Sequence, residues 1–210
     1  HPMLSLDKTK NIEEVKEFIG HKRFIMMAKM DGLTCSIRYV NGYLVSAETR
    51  GDGEIGEDIT HNIQFVQGVP KHIEVEGEFI VDGEIIITLD KFQDISEEYK
   101  HPCNYAAGSI RLLNSKESAS RNLTFVVWDV IKGGLAKDYL SNKLLLLPPG
   151  FISVPFSSYD YLKYDIEDEI KDIKWTCEQK HFPIDGIVFK YDDCEYYQSL
   201  GYTGHHFRGG

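Results

Sequence analysis

The sequence predicts one α+β unit built on antiparallel sheets flanked by helices. Three observations predict it. Two strand patterns, 33–40 and 43–48, are joined by Asn41-Gly42, the strongest short-range hairpin signal. Apolar stripes at helical spacing stand elsewhere, as Ile12, Val15, Ile19 and as Ile166, Ile170, Ile173, Cys177. No internal repeat and no low-complexity linker divides the 210 residues.

The elements follow in order. Asn11 caps the first helix, with Glu14 three residues on as its capping-box partner and Gly20 as its stop. Residues 24–30 read as a strand, and the hairpin follows. The Gly-rich polar block 51–58 is a loop. A strand pattern at 79–87 is interrupted by Asp82-Gly83. Helices are predicted over 89–99 and 104–113, and 123–131 is a buried strand by its β-branched and aromatic content. A short helix over 139–147, a longer one running to about Lys180 and a strand at 184–190 complete the chain.

Composition narrows the function classes. Charged residues make up 27% and hydrophobic ones 42%, ordinary for a globular protein. The longest apolar run, 144–147, stops at Pro148-Pro149, so no membrane span and no membrane partner is expected. No signal peptide is visible, and a chain starting at His1 points to a fragment, a processed chain or a tag remnant. A net charge of −10 gives no counterion-release gain on a DNA backbone. Cys35, Cys103, Cys177 and Cys194 lie far apart, which argues against a zinc site and a disulfide framework and fits a reducing cytoplasm. His205-His206 has no third ligand nearby in sequence and reads as a surface turn; no metal-ligating side chains are expected.

The chemistry concentrates in Lys29-Met-Asp-Gly32, at the end of a predicted strand. This spacing sets an amine beside a carboxylate, Asp31, and a tight turn at Gly32. A lysine of ordinary pKa, about 10.4, is a poor nucleophile at neutral pH. Covalent lysine chemistry needs burial or a second cation, and Lys190 is a candidate for that cation. Taken singly, each motif also has a plain structural reading. Lys29 can end an edge strand, Trp128 can be core, and Glu84 and Arg50 can be solvated charges.

Several blocks occur in one order: Ser5-Leu6 near the start, Lys29-Met-Asp-Gly32, Thr49-Arg-Gly-Asp-Gly53, Gly83-Glu84, Asn104-Tyr-Ala-Ala-Gly-Ser-Ile-Arg111, Trp128, and Asp185-Gly-Ile-Val-Phe-Lys190. Together they resemble the adenylation domain of NAD-dependent DNA ligases over nearly the whole chain. The resemblance implies the nucleotidyltransferase (ATP-grasp-like) fold for residues 1–210. It implies that Lys29 attacks the α-phosphate of NAD and keeps AMP, with magnesium assisting. Ser5 and Leu6 would then touch the adenine, Arg50 and Glu84 the ribose, and Lys190 would approach the base. Trp128 would stack on it, with Val188 as the opposite wall. Gly77-Glu78 competes with Gly83-Glu84; the resemblance implies an aromatic eight residues after the glutamate, at the start of a helix, and Phe92 then selects Glu84.

Three positions depart from the family pattern. Met27 stands where an acidic residue precedes the lysine, Cys103 where an arginine stands, and the final lysine motif would follow Gly210. The resemblance places the nicotinamide-mononucleotide domain and the OB-fold, zinc, helix-hairpin-helix and BRCT regions outside these residues. Nicked DNA would be engaged through those regions, and the domain itself is expected to be a monomer. Two other functions stay open: an ATP-dependent ligase or capping-type nucleotidyltransferase, and an adenosine-nucleotide-binding fragment inactive by itself.

Overall fold

A computed structural model describes the backbone of residues 5–6, 8–50, 56–160, 165–203 and 206–207. In chain order the elements are β1 (Ser5–Leu6), α1 (Ile12–Ile19), β2 (Phe24–Met30), β3 (Leu33–Val40), β4 (Tyr43–Thr49), α2 (Thr60–Ile63), β5 (Glu78–Ile86), α3 (Leu89–Gln93), α4 (Pro102–Ile110), α5 (Ser115–Ala119), β6 (Thr124–Lys132), α6 (Leu140–Leu145), β7 (Phe156–Tyr159), α7 (Ile166–Gln179), β8 (Ile184–Tyr191), α8 (Cys194–Ser199), β9 (Tyr202–Thr203) and β10 (His206–Phe207).

Two antiparallel sheets carry the fold. One has the order β4-β3-β5-β6 and the other β7-β2-β8. A small third sheet joins β1 in parallel to β10, which pairs antiparallel with β9. Asn41 and Gly42 turn the β3–β4 hairpin with φ of 47° and 86°, left-handed values that this dipeptide tolerates.

Alternation along β3 separates two faces. Cys35, Ile37 and Tyr39 enter the core, while Thr34, Ser36 and Arg38 face outward. Strand β5 repeats this with Phe79, Val81 and Ile85 inside. Strand β2 lies between β7 and β8 and is buried on both faces, except at Lys29. An ion-paired clamp ties its start to the end of β8: Arg23 Nε lies 2.8 Å from Asp192 Oδ2, and the Ser141 hydroxyl and amide donate to the same fully buried carboxylate.

Several elements differ from the sequence reading. Asn11 caps α1 by accepting from the Glu13 amide, but Thr9 Oγ1, not Glu14, receives the Asn11 N–H. Helix α3 ends at Gln93 instead of continuing to 99. Beyond it the Ser96 hydroxyl bonds the Gln93 carbonyl and the chain breaks into three-residue turns. Helix α4 starts earlier, with Pro102 in its first turn. It stops at Ile110 because the buried Asn62 amide takes the carbonyls of Ile110 and Leu112 at 2.8 and 2.7 Å. The short elements β1, α2, α5, β7, α8, β9 and β10 carry no periodic apolar pattern and were not foreseen.

Candidate functional site

The cleft has two walls, one from each large sheet. On the three-stranded sheet, Lys29 pairs with Gly186, Met27 with Val188 and Ile25 with Lys190. Directly opposed residues share a face, so Lys29, Val188 and Lys190 line one side. The Lys29 amine is half-exposed and donates to Asp185 Oδ2 at 3.5 Å. A register shift after Lys29 ends the regular pairing, and the Asp31 amide then bonds the Pro183 carbonyl at 2.8 Å. The chain crosses here to the other sheet. Gly32 fits the crossing because a Cβ would lie 2.2 Å from the Ile85 carbonyl oxygen.

On the four-stranded sheet, Thr34 pairs with Glu84, Ser36 with Asp82, and Asp82 in turn with Asp129. Gly83 opposes Val127, so Trp128 is left without a partner on β5. It occupies a β-bulge, which turns its side chain out of the strict alternation. Its indole N–H is aimed at Glu84 Oε2, 3.4 Å away, and the Thr34 hydroxyl reaches the same oxygen at 3.2 Å. Burial pushes the Glu84 carboxyl up to about 8, and the Asp185 charge adds to this; Thr34, Trp128 and Lys29 oppose it. Lys29, Asp185 and Glu84 therefore form one electrostatic group across the cleft.

Arg50, just past β4, donates its amide to the Thr34 carbonyl at 2.9 Å, and its guanidinium lies 3.8 Å from Asp82 Oδ1. Lys190 is buried, with its ammonium 4.8 Å from the centre of the Trp128 ring. Burial lowers its pKa while Asp129 and Asp82 raise it. The expectation that Lys190 would be the second cation beside Lys29 is corrected here. Four residues separate its register position from that of Lys29, roughly 13 Å along the strands. Carboxylates, not another ammonium, flank Lys29.

The remaining expected residues are distributed as follows. Ser5 and Leu6 form β1, and their side chains lie outside the described residues, as do Gly51, Asp52 and Gly53 of the Arg50 block and His205. Glu78 is remote from Lys29 in register and is held by Arg38 and Lys132 at 2.5 and 2.7 Å. Met27 is buried and brings no charge to the cleft. The Cys103 thiol stands beside Asp31, and burial together with that carboxylate raises its pKa. Arg111 reaches the loop after β4, its Nε 2.5 Å from Glu57 Oε2, which joins the Asn104–Arg111 block to the Arg50 block. Thr34, Asp82, Asp129 and Asp185 were not singled out by sequence. Asp185 had a signal in the second Asp-Gly pair, whereas the others depend on strand register.

Comparison with known proteins bears on this arrangement. The family model described as the NAD-dependent DNA ligase adenylation domain matches residues 1–208. A DNA ligase of Ruminiclostridium cellulolyticum is 37% identical over 96% of this chain and 32% of its own length. One from Lachnoclostridium phytofermentans is 34% identical over 99% of this chain and 33% of its own. The chain thus spans about a third of the length of these curated relatives. Among solved structures, one named Pmar-Lig_PreS3 has a TM-score of 0.56 at 11% identity, covering 92% of this chain and 43% of that one, a likeness of fold. With a family model spanning nearly every residue and relatives above 30% identity, the chain belongs to the NAD-dependent DNA ligase adenylation domain family.

Proposed function

We propose that Lys29 is the nucleophile of an adenylyl transfer in which NAD is the substrate. The observation that carries this is the Lys29 amine at the strand end, beside Asp185 and facing Glu84, at one end of a cleft whose other end holds Trp128 and Lys190. Laid along β8, a nucleotide would set its base at Lys190 and Trp128, its ribose near Glu84 and Arg50, and its α-phosphorus at Lys29. The neutral amine attacks phosphorus. A nitrogen–phosphorus bond forms, the phosphoanhydride bond breaks, and nicotinamide mononucleotide leaves with the electron pair. The ammonium proton must depart first, and Asp185, already its hydrogen-bond acceptor at 3.5 Å, is the base placed to take it. A Glu84 carboxyl that keeps its proton at neutral pH can donate to a ribose oxygen, which a carboxylate could not do.

Magnesium fits this set of oxygen donors in one way. Among the described residues no three metal-ligating side chains converge. With Glu84 keeping its proton, the Asp185 carboxylate is the donor that would suit an ion that keeps several waters and takes its other ligands from phosphate. When bound, such an ion supplies charge neutralisation at the phosphates. In the whole protein the AMP would pass to the 5′ phosphate of a DNA nick, and the 3′ hydroxyl would displace it. An acidic domain leaves the grip on DNA to other regions. Among the described residues no helix is long and apolar enough to cross a membrane, and a cytoplasmic site of action suits the four free cysteines.

The test is covalent. The chain, joined to the flanking regions of a relative, is incubated with NAD and magnesium or with ATP and magnesium, and the adduct is mapped by peptide mass. AMP on Lys29 from NAD, absent in Lys29→Ala, is expected. An adduct on another lysine refutes the assignment, and an adduct from ATP alone favours the ATP-dependent alternative.

A further inference from the structure

Between the two walls of the cleft lies a charge arrangement that the transfer reaction does not use. Asp82 and Asp129 stand directly opposite each other on β5 and β6. Asp82 is 3% exposed, and Oδ1 of each carboxylate is buried with no hydrogen-bond partner among the described residues. An unmet buried acceptor is costly, and two side by side need an explanation. The outer cations do not provide it, since Arg50 stops 3.8 Å from one carboxylate and Lys143 3.9 Å from the other. Lys190 reaches in from the facing sheet, and both carboxylates act on its charge. Its ammonium rests instead over the Trp128 ring, 4.8 Å from the ring centre.

That resting place conflicts with ligand binding. Lys190 comes from the opposite wall, so the ring face it covers is the one turned toward the cleft. A purine stacked there would need the same volume. An ammonium has three donors, and both carboxylates already act on this one's charge from beside the ring.

We propose that Asp82 and Asp129 are positioning residues for Lys190, forming the berth that receives its ammonium when a nucleotide base takes its place on Trp128. In the empty cleft Lys190 covers the stacking surface. On binding, the base displaces it and the two orphaned oxygens gain charge-assisted hydrogen bonds, so uncovering the ring is offset by satisfying the pair. The inference rests on the adenosine-binding reading of this cleft.

The experiment uses the 210-residue chain in a Trp175→Phe background, so that Trp128 is the sole tryptophan, and titrates AMP by fluorescence and calorimetry. Asp82→Asn with Asp129→Asn should weaken AMP binding about tenfold or more. Asp129→Asn alone, at the more exposed of the two side chains, should produce a smaller loss. Thermal melts establish that each variant is folded. The discriminating arm repeats both substitutions in a Lys190→Met background. If the pair acts through Lys190, its loss has no further effect there, because no ammonium remains to be berthed. An undiminished effect in that background, or wild-type affinity in the folded double variant, would overturn the proposal while leaving the adenosine site intact. No response of the parent Trp175→Phe chain to AMP would instead overturn the adenosine reading and this proposal with it.

Discussion

The indole N–H of Trp128 points at Glu84, 3.4 Å from Oε2, so the residue expected to hold the base and the one expected to hold the ribose are joined before any ligand arrives. The bulge that frees Trp128 from its strand makes this contact possible. It also gives the carboxyl a donor that does not titrate, inside a site that otherwise penalises its charge.

A pH dependence follows. Burial raises the Glu84 carboxyl from an ordinary 4.5 to about 8, so the native state holds a proton that the unfolded chain releases. The resulting stabilisation is complete below about 4.5 and is lost as pH rises through about 8. Unfolding free energies from denaturant melts between pH 5 and 9 should fall for the wild type by an amount on the order of a few kcal/mol. Glu84→Gln should remove that part of the slope. Parallel profiles for the two proteins would contradict the buried-acid account.

Trp128 should report ligand directly. The chain has two tryptophans, and Trp175 lies 62% exposed on α7, away from the cleft. AMP or NAD should change the intrinsic fluorescence; Trp128→Ala should abolish the change and Trp175→Phe should preserve it. Stacking is worth about 1–3 kcal/mol per base. If Trp128→Ala unfolds the chain and no ligand alters the native signal, Trp128 is a packing residue.

Gly32 should tolerate no side chain. A Cβ would stand 2.2 Å from the Ile85 carbonyl oxygen and 2.8 Å from the Ile86 side chain. Relief requires moving β3 away from β5, an overpacking strain of about 1–3 kcal/mol or more. Gly32→Ala should lower the denaturant midpoint and, in a chain that still folds, slow Lys29 adenylation more than it weakens AMP binding. Unchanged stability would show that the crossing can shift freely.

The Arg23–Asp192 clamp gives a test of stability away from the chemistry. Asp192 is fully buried and holds Arg23 and Ser141, so Asp192→Ala takes away the acceptor they share and leaves the guanidinium to Asp160, at 3.6 Å. A loss of about 3–5 kcal/mol is expected, read as a fall in Tm. AMP affinity in the folded fraction should be nearly unchanged, because Lys190, not Asp192, stands against Trp128. A large loss of affinity with full stability would place the clamp in the site.

The frame of the molecule was legible where the sequence repeats a local rule. The β3–β4 hairpin follows from Asn41-Gly42 between alternating strands, and α7 from its apolar stripe. Lys29 and the second Asp-Gly pair were legible as motifs, and the structure sets Asp185 against the lysine. What escaped depends on pairing between distant segments. Asp82 meets Asp129 through strand register, and the bulge at Trp128 shifts that register by one residue. Lys190 was placed beside Lys29 because both belong to lysine motifs; their separation along β2 and β8 is a fact of antiparallel register that no motif spacing states. Short strands such as β7, with two serines in four residues, carry too little alternation to be seen.

The crossing from Met30 to Leu33 has a mechanical consequence. Only Asp31 and Gly32 separate the last residue of one wall from the first residue of the other, and Lys29 lies one residue before that join. The walls are stitched a second time by residues 152–155, which bond Val127 of one sheet and Ala28 of the other. Lys29 and Trp128 each follow a stitched residue, so the span between the expected nucleophile and the expected stacking ring is set by the frame and not by a swing of one sheet against the other.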